Sequence, residues 1–373
     1  MMVFLAALLI QLVYVWTVFG ATAFRKSKEP SAKTDEPVSV VVVARDSLSG
    51  LMELMPALLR QKYPDFEVVI VNNCSNDDTQ VYLDELERNE PRVKIVQLRQ
   101  QLNFFHGKKF PLSMGIKSAQ NDLLVFTDPD CVPVSDGWLS SVVGAYERDT
   151  QIVVGYCARR NRKGLSDKII RYVDMIDGLN IVSFALLGHP YSADGRCLSY
   201  RKSLFYQSKG FTSHYTVPPG DDSLFVNDNA RGKNTSVVID PDNAIVSNTI
   251  AVSRWLMLKS YRCSVIPHYR FFTKMALSVY PLSQMLLYAS FVALFFLKPA
   301  FEIAAMPLLY IPALVTLFLI RFVSQTIVLH KAAKRLGEVR LTPWFVLCDI
   351  AYLFIAPIVV FLGVVGKGAK WGE

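Results

Sequence analysis

The residues best suited to chemistry by type and spacing are Asp128 and Asp130, one residue apart and separated by Pro129. They follow the uninterrupted apolar run Leu123, Leu124, Val125 and Phe126, then Thr127. Such a run reads as a strand buried on both faces. It delivers both carboxylates to the strand's C-terminal end, where open α/β sheets bind ligands. Two acids at this spacing suit a hard cation that also holds phosphate oxygens. Asp-Pro-Asp is equally ordinary turn chemistry, and the stretch by itself is compatible with either.

The elements that must position these acids come before them. Val38–Ala44 (VSVVVVA) reads as a buried strand, followed by Leu51, Leu54, Met55, Leu58 and Leu59 at helical spacing. A second strand over 66–71 runs into the polar loop NNCSNDDT, then come a short helix over 81–86, a strand over 93–98 and a helix over 108–118. Strands alternating with helices imply a doubly wound, mostly parallel sheet. GxGxxG, GxxxxGK[ST] and GxSxG are all missing, which argues against a dinucleotide oxidoreductase, a P-loop NTPase and a serine hydrolase of the elbow type.

The chain has 373 residues, 51% of them hydrophobic, and a formal net charge of +8. That composition is too apolar for a purely soluble enzyme and directs attention to membrane spans. Residues 1–24 carry no charge and end at Arg25, Lys26 and Lys28. With the positive charges after the apolar run, a retained anchor is favoured over a cleaved signal peptide. Three further apolar stretches, over 276–297, 303–322 and 344–365, approach the length needed to cross a bilayer. Basic residues cluster after the first span, before the second, and between the third and fourth (Lys331, Lys334, Arg335, Arg340). Positive-inside counting therefore puts the domain between spans one and two in the cytoplasm, its basic charge available to anionic lipid. A nucleic-acid partner is not indicated, since no basic, aromatic-laced recognition motif is present. The six cysteines form no CxxC pair, so neither a zinc site nor a disulfide framework is indicated.

From Val38 to about Trp255 the sequence resembles the family 2 glycosyltransferases, nucleotide-sugar enzymes of the A-type fold, in their membrane-bound bacterial form. The motifs are Val71-Asn72-Asn73-Cys74-Ser75-Asn76-Asp77-Asp78-Thr79 for the family's VDDxSxDxT, GKKFPLSMGIKSA for GKxxALNxGI, Asp128-Pro129-Asp130 for DxD, Ala193 to Lys202 for GRNLAYRK, and Gly220-Asp221-Asp222 for G(E/D)D. The resemblance implies that Ala44, Arg45 and Asp46 lie against the nucleotide. Asn73 stands where an acid usually accepts a bond from uracil, a role an amide carbonyl can fill. Lys108 becomes a phosphate or base contact, Asp128 and Asp130 the ligands of Mg2+ or Mn2+, and Asp128 part of the donor site. The family places its base on the second acid of G(E/D)D, here Asp222, with Asp221 supporting it and facing the acceptor. Lys117 reads as a solvated helix face, and His189 as a packed or capping histidine. Ser253-Arg254-Trp255 matches half of (Q/R)xxRW, with Ala251 where Gln or Arg belongs. Arg254 could neutralise the diphosphate, and Trp255 could stack on the acceptor.

The expected architecture is an α/β, Rossmann-like A-type domain with one N-terminal and about three C-terminal transmembrane helices. The divisions are an anchor (1–24), a linker (25–36), a cytosolic catalytic domain (37–250), an amphipathic interface helix (251–275) and a C-terminal membrane region (276–373). Basic and aromatic residues alternate between Arg254 and Lys274, which supports the interface helix. The expected activity is inverting transfer of a sugar, from a UDP-sugar in preference to a GDP-sugar, to a hydroxyl of a lipid or lipid-linked acceptor at a bacterial inner membrane. A processive polysaccharide synthase is the alternative enzyme; four spans are few for a closed export channel. A non-catalytic module that binds nucleotide or lipid is the third reading. Oligomeric state and sugar identity are not written in the sequence.

Overall fold

The computed structural model describes residues 1–25, 35–99, 107–297 and 307–365. Most of the linker expected over 25–36, the start of the span expected over 303–322 and the last residues of the membrane region lie outside the described residues.

Ten strands are present among the described residues: β1 (Val38–Ala44), β2 (Phe66–Asn73), β3 (Val93–Leu98), β4 (Leu123–Thr127), β5 (Cys131–Pro133), β6 (Ile152–Val154), β7 (Cys157–Arg159), β8 (Leu198–Arg201), β9 (Thr235–Val237) and β10 (Ile245–Ser247). Seven form the main sheet in the order β3-β2-β1-β4-β8-β6-β9, and β5-β10-β7 form a second, small sheet. β3, β2, β1 and β4 are mutually parallel, and β8 then runs antiparallel between β4 and β6. All seven residues of β1 and all five of β4 are buried, as expected of parallel strands covered on both faces. Alternate side chains serve two cores. Val40 and Val42 pack with Leu51, Leu54 and Leu58. Val41 and Val43 pack with Leu112, Ile116, Phe126 and Tyr200. The sheet is therefore mostly parallel, as the alternating pattern implied.

Among the described residues, four helices are long and apolar enough to cross a membrane: Met2–Ala23, Phe271–Phe296, Tyr310–Arg335 and Val339–Val365. The third helix begins at Pro307 and continues to Arg335, well past the expected end at 322, because Leu329, Ala332 and Ala333 stay buried on the domain side. The single interface helix expected over 251–275 is instead two elements. A helix over Val252–Cys263 ends before a short 3-10 turn at Ile266–His268, and the second span starts at Phe271. Pro267 accounts for the break, since it has no N–H to donate and its ring clashes with the preceding turn of a continuous α-helix.

One further helix, Leu165–Leu186, joins the domain to the bundle. Its Tyr172 hydroxyl donates to Asp349 Oδ1 at 3.1 Å, and its Asn180 accepts from the Tyr14 hydroxyl of the first span at 2.8 Å. Asp349 also receives Arg321 Nη1 at 2.5 Å, Gln325 at 2.8 Å and the Tyr288 and Tyr280 hydroxyls at 2.9 and 3.3 Å. Arg321 in turn donates to Gln11 of the first span at 3.1 Å. Arg321 and Asp349 are each 1% exposed, and a charge at such depth is costly unless it is paired.

Asp349→Leu leaves Arg321 buried without its counter-charge and is expected to lower bundle stability by about 3–5 kcal/mol. Thermal unfolding in detergent measures this. The double variant Arg321→Met/Asp349→Leu should recover most of the loss, because it removes both charges.

Candidate active site

β1, β2 and β4 are parallel, so their C-terminal ends share one edge of the sheet, with Ala44 opposite Asn72 and Val42 opposite Thr127. The loop after β4 is a tight turn in which Cys131 N–H donates to the Asp128 carbonyl at 3.0 Å. Pro129 is at the second position of that turn, where its fixed φ is favourable. Asn248 N–H pins the other side through the Asp130 carbonyl at 2.9 Å. Gly50, on the helix after β1, touches this turn so closely that a Cβ would run into the Pro129 carbonyl. The loops after β1 and β2 are stitched to each other. Asp46 N–H donates to Ser75 Oγ at 3.0 Å, Asn76 N–H to Asp46 Oδ1 at 2.6 Å, and Ser47 N–H to Thr79 Oγ1 at 3.1 Å.

The acid pair reaches the same edge from a distant segment. Gly220 has φ of +98°, a conformation that a side chain strongly disfavours. Asp222 then caps the helix Ser223–Asn229. Its Oδ1 accepts from Ser223 N–H at 2.5 Å and its Oδ2 from Gly195 N–H at 3.0 Å. Lys109, 2% exposed, ties this segment to the helix after residue 108 by donating to the carbonyls of His214 and Val217 at 2.5 and 2.6 Å.

A cleft of about 710 Å³ brings these parts together. Its walls include Arg45, Asp46, Lys108, Asp128, Asp130, Asp221, Asp222, Arg254 and Trp255. Lys108 pairs directly with Asp128. Burial alone would lower the Lys108 pKa, but Asp128, Asp221 and Asp222 outweigh it and hold the ammonium above the usual lysine value. Burial, reinforced by repulsion from Asp222, pushes Asp221 up to about 6. Among the described residues no three His, Cys, Asp or Glu side chains converge tightly enough to hold a metal by themselves. Asp128 and Asp130 nevertheless fit a divalent cation that completes its shell with diphosphate oxygens, since both are hard oxygen donors on one turn. The Lys108 ammonium already meets a cation's electrostatic demand at Asp128.

Two predicted residues stand elsewhere. Ala44 is fully buried in the core, so its side chain offers the cleft nothing. Asn73, the last residue of β2, is not part of the cleft wall. Trp255 lines the cleft but is 3% exposed, and its indole N–H donates to Asp174 Oδ1 at 3.1 Å. It anchors the wall helix Val252–Cys263 and leaves no open face for stacking, contrary to the expectation for it. Arg254 is exposed at the cleft rim.

Sequence reasoning missed the ionic frame of this wall. Asp174, on the helix Leu165–Leu186, accepts from Arg159 Nε at 2.7 Å and Lys259 at 3.0 Å, and Lys259 also pairs with Asp177. Asp194 holds Arg196 at 2.5 Å and Arg262 at 2.9 Å. Burial opposes ionisation of Asp174, but Lys259, Arg159 and Arg196 hold its carboxyl well below the usual range. The i, i+3 spacing of Lys259 and Arg262 on an amphipathic helix was a visible signal for the basic side only; their acids lie far away in the chain.

With this geometry in view, residues 39–207 match the profile of glycosyl transferase family 2. That segment, a little under half of the chain, is similar to this family of glycosyltransferases. Poly(ribitol-phosphate) beta-N-acetylglucosaminyltransferase TarS of Staphylococcus aureus is 33% identical over 94 residues, which is 25% of this chain and 16% of TarS. Poly-beta-1,6-N-acetyl-D-glucosamine synthase of Staphylococcus epidermidis is 26% identical over 145 residues, 38% of this chain and 34% of that protein. The chain thus spans between about a sixth and a third of the length of these relatives. In fold, it is similar to mannosyltransferase PcManGT from Pyrobaculum calidifontis in complex with GDP-Man and Mn2+, with a TM-score of 0.54 and 18% identity over 88% of this chain and 99% of that one.

The raised pKa of Asp221 carries a sign. The folded chain keeps this proton to about pH 6, whereas an unfolded aspartate releases it near 3.8. The folded state therefore binds more protons between these values, and stability falls as pH rises through that window. Asp221→Asn is expected to flatten that slope and stabilise the domain by about 1–3 kcal/mol at pH 7. Chemical denaturation at pH 4, 5, 6 and 7 checks it.

Proposed function

We propose that this chain is a membrane-embedded, inverting glycosyltransferase that moves a hexose from a nucleotide-sugar, a UDP-sugar foremost, to a hydroxyl of a lipid or lipid-linked acceptor. The observation that carries the reading is the single cleft in which the Asp128–Asp130 turn and the Asp221–Asp222 pair face each other, beside a basic wall helix that leads into a membrane-spanning helix. In this proposal the domain faces the cytoplasm of a bacterial cell and works at its inner membrane.

Each residue then has a task. Arg45 and Asp46 meet the nucleotide. Asp128 and Asp130 are the residues that would hold Mg2+ or Mn2+ on the side of the donor's diphosphate. When bound, that cation offsets the negative charge that accumulates on the leaving diphosphate. Lys108 contributes a positive charge on the same side, and Arg254 a further one from the rim. Asp222 is the base. Two backbone N–H groups fix its orientation, and each oxygen keeps a lone pair for the acceptor's proton. The acceptor oxygen forms the new bond to the anomeric carbon as the bond to the diphosphate oxygen breaks. The hydroxyl proton passes to Asp222, and the nucleoside diphosphate departs with the electron pair. One displacement inverts the anomeric centre. Asp221 stands on the acceptor side and tunes its neighbour's charge.

The test is a donor panel with purified protein in nanodiscs, Mg2+ or Mn2+, and membrane lipid extract, reading the product by mass. A single added hexose on a lipid supports the proposal, and a long polymer points to processive synthesis. Asp222→Asn is expected to lower turnover by about 10²–10⁴-fold with donor binding retained. Asp130→Ala should instead weaken donor binding in the presence of metal, measured by calorimetry with the nucleoside diphosphate. Near-normal turnover of Asp222→Asn would sink the base assignment.

A further inference from the structure

The last of the four apolar helices, Phe345–Val365, does not run with the other three. Those three close on one another at the end away from the domain, where Phe4, Ala7 and Leu8 pack with Leu287 and Leu314. Among the described residues, none from Phe345–Val365 joins that cluster. The opposite end of the bundle marks the domain side, since Arg335 at the end of the third helix donates to the Arg25 carbonyl just after the first. Phe345 starts on this side, packed with Tyr172, Leu336 and Leu341. Shortly before it, Glu338 receives Arg171 of the helix Leu165–Leu186 and the Tyr156 hydroxyl of the domain. A helix that crossed from here would carry Gly363 about 27 Å away, nearly the full hydrocarbon thickness of a bilayer. The helix instead dips into the bundle at Asp349, which meets Arg321 and Gln325, and then returns. Tyr352, Ile355 and Ala356 pack in one cluster with Trp255 and Leu256 of the wall helix Val252–Cys263. Gly363 lies so close to the same wall helix that an added Cβ would run into the Ser260 carbonyl and the Cys263 side chain. That wall helix lines the cleft through Leu258, Tyr261 and Arg262, so both ends of Phe345–Val365 touch the domain side.

We propose that Phe345–Val365 is an in-plane helix. It lies within the leaflet next to the domain, docks its outer face on lipid acyl chains, and brings the chain back to the side from which it started. The buried residues Phe345, Cys348, Asp349, Tyr352, Val359 and Gly363 form its inner face. Ile350, Phe354, Ile358, Phe361 and Val365, three or four positions apart on the other face, are 40–65% exposed. Nothing polar interrupts this strip, and an apolar surface of such length marks a contact with something other than water. Acyl chains are the occupant that the three neighbouring apolar helices already require. Lys367 and Lys370 follow the helix in the sequence, and positive-inside counting puts that end on the same side as Lys331, Lys334 and Arg335. The wall helix then rests with one face on the in-plane helix and lines the cleft with the other. This arrangement holds the cleft at headgroup level, where the polar head of a lipid can enter without its chains leaving the bilayer. The inference rests on the membrane reading of the apolar helices and is independent of the reaction.

The experiment uses the full chain with an epitope tag at each end, in sealed vesicles of one orientation. Three crossings put the two tags on opposite sides, so external protease removes one and spares the other until detergent is added. Four crossings put both tags on the same side, and loss or protection of both together overturns the proposal. A second measurement concerns the contact at Gly363. Gly363→Leu is expected to lower Tm in nanodiscs by about 2–6 °C. Val364→Leu, on the exposed side of the helix, should leave it within about 1 °C. Equal Tm values for the two variants overturn the packing of this helix on the cleft wall. Release of the chain from membranes by alkaline carbonate would reject the membrane reading itself, whereas tags on the same side of a carbonate-resistant chain reject only the in-plane helix.

Discussion

Inside the bundle of long apolar helices one carboxylate, Asp349, gathers Arg321, Gln325, Tyr172, Tyr280 and Tyr288. Through Arg321 it also reaches Gln11, so each of the four apolar helices and the helix Leu165–Leu186 contribute to this cluster. Helices in lipid gain little from burying apolar surface against one another, so hydrogen bonds and close packing must hold them. A charge pair at this depth is costly unless every contributor stays in place. The orientation of the helix Leu165–Leu186 follows from that requirement, and with it the orientation of the cleft wall. Tyr172 answers to the bundle, while Asp174, two residues on, holds Arg159, Lys259 and Trp255 at the cleft.

The cleft itself is a problem in charge balance. Asp128, Asp130, Asp221 and Asp222 line a space that, in the proposed reaction, receives a diphosphate, another anion. Lys108 offsets part of this by pairing with Asp128, and its ammonium is stabilised by three carboxylates at once. The surplus is visible at Asp221, which burial and Asp222 keep protonated to about pH 6. Adding a nucleotide-sugar to this set without a further cation would bring like charges together in a poorly screened space. A divalent ion shared between the aspartates and the diphosphate resolves the conflict, which is the physical case for metal in the proposed reaction.

Much of this was legible in the chain. Val38–Ala44 and the run before Asp128 read as strands buried on both faces because nothing in them is polar enough to face water, apart from Ser39. Asp128, Asp130, Asp221, Asp222, Lys108 and Arg254 could be picked out, and they do share one cleft. Legibility failed where a residue's role depends on which side of it is covered. Trp255 read as a stacking surface and is instead a buried anchor. The interface helix read as continuous through Pro267 because its basic and aromatic pattern continues across the proline. The partners Asp174 and Asp194 gave no signal, since an acid in a helix or loop looks the same whether it meets water or a guanidinium 68 residues away.

What the sequence by itself determined is local and periodic: buried strands, spans of sufficient length, and two short acidic turns whose chemistry follows from residue type. Tertiary structure alone decided that the turns after β4 and before Ser223 face each other, because the parallel register puts one at the sheet's edge and the Gly195 amide and Lys109 hold the other there. It also decided that Arg321 and Asp349, 28 residues apart on different helices, neutralise each other. The reason is the same in both cases. Residue type sets what a group can do, but burial and the nearest opposite charge set what it does, and both are properties of contacts that the linear order of residues does not contain.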